Sequence, residues 1–119
     1  MSAQLLDAID GIITLEISGK IAPTELYENQ KKLLQLLQQW GGGSLLIICE
    51  QFEGFSSGDW SDLSFKEQAD PLIRKMAIIG EAQWETMALA FTAKGQRPFP
   101  IQFFPTGHLI EANAWLKSA

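Results

Sequence analysis

The segment Ser44–Cys49, SLLIIC, constrains the fold more than any other. It is an unbroken apolar run, too short for a helix and bounded by turn residues, with Gly41-Gly42-Gly43 ahead of it. Such a run describes a strand covered on both faces, the setting of a central strand in a parallel sheet. A strand hidden on both sides needs neighbouring strands and at least one layer of helices, so the rest of the chain must supply both.

It does so in alternation. Ahead of the run, Pro23 to Trp40 places Leu26, Leu33, Leu37 and Trp40 at helical spacing, with Pro23 suited to the first turn and the glycines to the end. Before that, Gly11 to Ser18 alternates Ile13, Leu15 and Ile17 with Thr14, Glu16 and Ser18, the period of a half-buried strand, and Gly19-Lys20 closes it. Gln4 to Ile9 pairs with it as an antiparallel edge strand across Asp10-Gly11, a favoured hairpin dipeptide. After the run, Asp59 or Ser61 caps a helix through Trp60, Leu63 and Ala69 that Pro71 stops. Lys75 to Gly80 then reads as a strand, and Glu81 to Lys94 as a helix with Trp84, Met87, Ala88 and Phe91 on one face. Pro100 to Phe104 is a last strand, and Thr106 to Lys117 a closing helix burying Leu109, Ala112 and Leu116. The expected architecture is α/β: a mostly parallel five-stranded sheet, four helices and an N-terminal antiparallel edge strand, within one domain over residues 1–119.

Composition narrows the function classes. Hydrophobic residues make up 46% and charged residues 19%, as in a folded globular protein. The formal charge is −5, and the scattered Lys and Arg form no basic stripe to neutralise phosphates, which argues against nucleic acid. With a single Cys49 and a single His108 there is neither an internal disulfide nor zinc-ligand spacing. Glu50, Glu53, Asp59 and Asp62 lack the spacing of a calcium loop, so no metal and no cofactor is expected. No basic leader precedes an apolar core at the N-terminus, and no stretch is apolar for long enough to span a membrane. The expected compartment is the cytoplasm.

Several stretches carry a family likeness: ISGKI before the first helix, LLIICEQFEGFSSGDWSDL after the glycines, RKMAIIGEAQW around the next strand, and IEANAWLKSA at the end. In this order and spacing they resemble the SpoIIAA-like fold, the STAS domain, and within it a bacterial family of small stand-alone SpoIIAA-like proteins. The resemblance implies a five-stranded sheet with helices and a role in binding or regulation, with no reaction generally assigned. It also implies that Ser56-Ser57-Gly58 falls where the regulators of anti-sigma factors carry a phosphorylated serine. Phe55 stands where their motif has an aspartate, which weakens kinase recognition here.

Gly54-Phe55-Ser56-Ser57-Gly58 also spells G-x-S-x-G, and Ser56, Asp70 and His108 follow in the chain order of a hydrolase triad. Such elbows belong to sheets of about eight strands. Gln51-Phe52-Glu53 moreover separates the apolar run from the motif, so a polar loop with capping serines is the reading preferred over catalysis.

Ligands of open α/β sheets bind beyond the carboxyl ends of the strands. The expected recognition surface is therefore the loop 52–60 with its neighbours: Lys20, Phe52, Phe55, Ser56, Ser57, Trp60, Trp84 and His108. Phe52, Phe55 and Trp60 either pack as core or lid, line an apolar pocket, or meet a protein; Trp84 at helical spacing reads first as core, and Lys20 and His108 first as solvated polar residues. The expected partner is a protein or an apolar small molecule or lipid, with Ser56 or Ser57 as phosphoacceptors in the alternative, and self-association as a homodimer fits the same fold.

Overall fold

The computed structural model describes residues 3–56, 64–91 and 97–118. Five strands, β1 (Ala3–Ile9), β2 (Ile12–Ile21), β3 (Gly43–Phe55), β4 (Ile73–Gly80) and β5 (Ile101–Pro105), form one sheet in the order β1-β2-β3-β4-β5. Only the β1–β2 pair is antiparallel; β2–β3, β3–β4 and β4–β5 are parallel. The helices are α1 (Pro23–Trp40), α2 (Ser64–Ala69), α3 (Glu85–Phe91) and α4 (Leu109–Lys117).

Spatial order follows chain order without a reversal, and that governs the layers. Each parallel connection crosses over in the same right-handed sense while stepping in the same direction, so each crossover helix lands on the same face. One face accordingly packs Ile13, Leu15, Leu45, Met76, Ile78 and Ile101 against Leu26, Leu33 and Leu37 of α1, Ala69 of α2, and Ala88 and Leu89 of α3. The opposite face holds Ile12, Leu46, Ala77, Ile79 and Phe104, packed with Ala112 and Leu116 of α4. Three helices cover one side and one helix the other.

Local chemistry fixes the joints. Asp10 and Gly11 both adopt positive φ, at 56° and 76°, the conformation a two-residue hairpin turn requires. Pro23 opens α1, and left-handed Gly41 ends it as Gly41 N–H and Gly42 N–H donate to Gln38 O and Leu37 O, a Schellman closure that satisfies late carbonyls of the helix. Asn29 is buried on α1, and its Nδ2 donates to Ala3 O at 3.3 Å and Glu25 O at 2.9 Å, tying the helix to β1. Lys75 Nζ donates to Trp115 O, Ser118 O and Ser118 Oγ at 2.7–2.9 Å and lies 5.0 Å from the centre of the Trp115 ring, anchoring the end of α4.

Four expectations need correction. The central strand does not stop at Cys49: β3 runs on to Phe55, and Phe52–Phe55, expected in a loop, belong to it. Gly19-Lys20 does not close β2, which continues to Ile21. The two extensions pair with each other, Gly19 opposite Phe52 and Ile21 opposite Phe55, through register shifts that Gly19 (φ 62°) and Gly54 (φ 116°) accommodate. A strand is defined by its ladder, and backbone bonds hold this one where the apolar pattern has lapsed. Third, the helix expected from Glu81 begins as a 3-10 turn, Ala82–Trp84, before α3, and Met87 on it is 43% exposed instead of buried. Fourth, the closing helix starts at Leu109, so Leu109 sits in its first turn and is 44% exposed.

Candidate functional site

The carboxyl ends of β2 and β3 project past those of β4 and β5 as a two-stranded ribbon. Beyond the Cys49–Gly80 pair, β3 continues beside β2 alone, and Ser56 N–H donates to Ile21 O at 2.9 Å to close the ladder. Trp84 fills the step that this leaves. Its ring meets Phe52 edge-on, with centroids 5.0 Å apart and planes at 73°, a favoured aromatic geometry. The ring also lies over Gly54, where a Cβ would stand at ordinary contact distance, 3.9 Å, from Trp84 Cη2, so the backbone φ of 116° and not the space beside the ring is what suits glycine there. Phe52 is buried and Trp84 half-buried, yet the indole Nε1 is shielded from solvent with no hydrogen-bond partner among the described residues. An indole N–H is a donor only, and leaving one buried and unmatched costs about 1–3 kcal/mol. Among the described residues, Phe52 and Trp84 are thus expected site residues that the fold brings into contact.

The others are placed differently. Lys20 lies opposite Gly54 in the ladder and is exposed. Ser56 is half-buried and directly follows β3, so the separation of the motif from the strand expected from sequence does not hold. What keeps a triad apart is topology: Asp70 precedes β4 at the amino end of the sheet, where its carboxylate binds Arg97 Nε at 2.9 Å and Arg97 Nη2. His108 follows β5 on the α4 side, and its Nδ1 lies 2.9 Å from Glu111 Oε2. Ser57 and Trp60, and the proposed caps Asp59 and Ser61, lie outside the described residues, as does the side chain of Phe55.

Cys49 faces the α1–α3 layer beside Gly80, and burial pushes its thiol from an ordinary 9.0 up to about 12. A thiol held protonated is a poor nucleophile and metal ligand. Among the described residues no three His, Cys, Asp or Glu side chains gather in a way that could hold a metal ion. No helix among them is long and apolar enough to cross a membrane.

A second feature escaped the sequence reading. Because α4 covers the sheet over β3–β5, the β1–β2 side of that face is left as a lower shelf, and an open groove of about 280 Å³ runs between them. Ile12, Leu46 and Ile48 form its floor. The signal that hides it is a bulge: Leu5 pairs with Leu15 but Asp7 with Thr14, so the extra residue Leu6 swings Asp7 and Ile9 onto the α4 side.

The wider comparisons agree with this architecture. A crystal structure of an uncharacterized protein from the DUF3478 family with a SpoIIAA-like fold, from Shewanella loihica PV-4, superposes with a TM-score of 0.69 at 24% identity, over 96% of this chain and 91% of that one. No curated protein matches the chain. The SpoIIAA-like family model matches residues 12–117, from the first residue of β2 to the last of α4, and the chain therefore belongs to the SpoIIAA-like family.

Proposed function

We propose that the chain is a non-enzymatic binding module of the regulatory kind, recognising an apolar partner, protein or small molecule, at the carboxyl end of β3. Membership of the SpoIIAA-like family supports a binding or regulatory role in general. The observation that carries the location is the buried N–H of Trp84 beside Phe52, unmatched among the described residues. Apolar rings with one unspent donor are the composition of a ligand site: the rings supply contact area, and a small shift of the Trp84 ring on binding would bring the now shielded N–H to an oxygen of the partner. The exposed Lys20 on the same ribbon would meet an acidic group at the rim.

The test is Trp84→Phe in the full chain, which keeps the ring contact with Phe52 and removes only the donor. Incubation with cell extract and native mass spectrometry reads a retained small molecule or a bound protein by added mass. Loss of one neutral hydrogen bond predicts about a fivefold weaker complex in the variant. Equal retention by both proteins, with unchanged circular dichroism, sinks the assignment of this surface.

The alternative, phosphorylation of Ser56 or Ser57, rests on the place of Ser56 just past β3 and on the resemblance to phosphorylated regulators. It predicts the mass of a phosphate on the intact chain after incubation with extract and ATP, abolished by replacing both serines with alanine. An unmodified mass counts against it.

A further inference from the structure

Of the five large hydrophobic side chains that stand exposed among the described residues, three line the groove beside α4, Leu6 at 45%, Ile9 at 62% and Leu109 at 44%, and a fourth, Ile110 at 86%, follows Leu109 on the helix above it. Ile110 precedes Lys117 by seven residues and so lies on the same side of the helix as that wall of the groove. Isolated exposed apolar residues need no explanation, but a contiguous set marks a contact surface.

Charge and shape say what covers it. The hairpin wall carries Asp7 and Asp10, and the helix wall carries Lys117. The helix is a ridge and the hairpin a shelf. We infer that this face binds a second copy of the chain, each α4 ridge seated on the other's β1–β2 shelf about a two-fold axis running parallel to the strands. That axis exchanges the walls without inverting the strand direction. Asp10 ends the hairpin at the amino end of β2, and Lys117 ends α4 near Lys75 at the amino end of β4, so the opposite charges meet at one level. An axis across the strands would instead set hairpin on hairpin and bring Asp7 and Asp10 against their own copies, which like-charge repulsion opposes. The pairing is isologous and closes at two subunits. An anionic membrane would suit neither the acidic hairpin nor the net charge of −5. The inference does not depend on the Trp84 surface, which lies at the carboxyl end and on the other face.

Sedimentation equilibrium of the full chain tests it. The expected result is a concentration-dependent dimer; a monomer at every concentration reached overturns the proposal. Ile110→Lys places a charge at the centre of the apolar contact and should weaken the dimer about tenfold or more, as truncated interface centres do. Ile110 is exposed in the single chain, so its circular dichroism and melting should hold; a dimer as tight as the parent's rules this face out. Lys117→Glu should weaken it several-fold, because it sets a like charge against Asp10 of the other copy. A dimer unchanged by Lys117→Glu overturns the two-fold arrangement.

Discussion

The two faces of the sheet are built from the same strands and finished differently. On the α1–α3 side, Ile13, Leu15, Leu37 and Leu45 are 0–2% exposed under three helices. On the α4 side, Leu46 and Ile79 are as well buried under the single helix, but Leu6 and Ile9 on the neighbouring hairpin stand open. The difference does not come from hydrophobicity, which both faces have. It comes from the unreversed strand order, which commits every crossover helix to one side and leaves the other to whatever follows β5. A doubly wound sheet would reverse direction, cover both faces and open a crevice at the reversal. Lacking the reversal, this sheet keeps one face closed, one face half closed, and a projecting ribbon at its end.

Three measurements probe that contrast. Leu37→Ala, at the centre of the closed face, should cost about 3–5 kcal/mol of unfolding free energy, because a tightly packed site collapses poorly around a lost side chain. A chemical-denaturation loss below about 1 kcal/mol would mean that this face is packed no better than the other.

The second is pH. Cys49 titrates at about 12 in the folded chain against an ordinary 9.0, so the folded state holds its proton where the unfolded state has released it. The stability this contributes is complete below pH 9 and is lost as pH rises from 9 toward 12, with a slope approaching 1.4 kcal/mol per pH unit. Other groups titrate in this range, so the prediction is a difference: Cys49→Ala should show a shallower alkaline decline than the parent. Equal slopes would show that water reaches the closed face at Cys49.

The smallest effect belongs to the open side. Lys75→Met removes three hydrogen bonds and a cation–ring contact at the end of α4 and should cost about 1–2 kcal/mol. Hydrogen exchange should show the loss concentrated in α4. Uniform loss across the sheet would mean that α4 does not open independently of the rest.

Much of this was legible from side-chain pattern. The run Leu45–Cys49 marks the middle of the sheet, Leu26, Leu33 and Leu37 mark the inner stripe of α1, and Asp10-Gly11 marks the hairpin. The pattern fails where backbone geometry decides. Gly19 looks like a strand terminator and Gly54 like a loop residue, and instead they let two strands continue together through shifts in register. Leu6 looks like one more alternating position and instead reverses which face Asp7 and Ile9 occupy. In the site, Phe52 and Trp84 were both named from sequence, yet their contact depends on Trp84 occupying a 3-10 turn, which spacing as a regular helix does not place. The groove beside α4 depends on how much of the sheet one helix covers, a property of topology that no single stretch records.

The matching of spatial to chain order also bears on how the molecule assembles. Each strand after the first pairs with its immediate predecessor, so no edge has to wait for a remote segment, and the loop closed at each step stays short. Acquisition of the native state can advance strand by strand as accretion on a growing edge, a route that favours rapid folding among sheet proteins of this size.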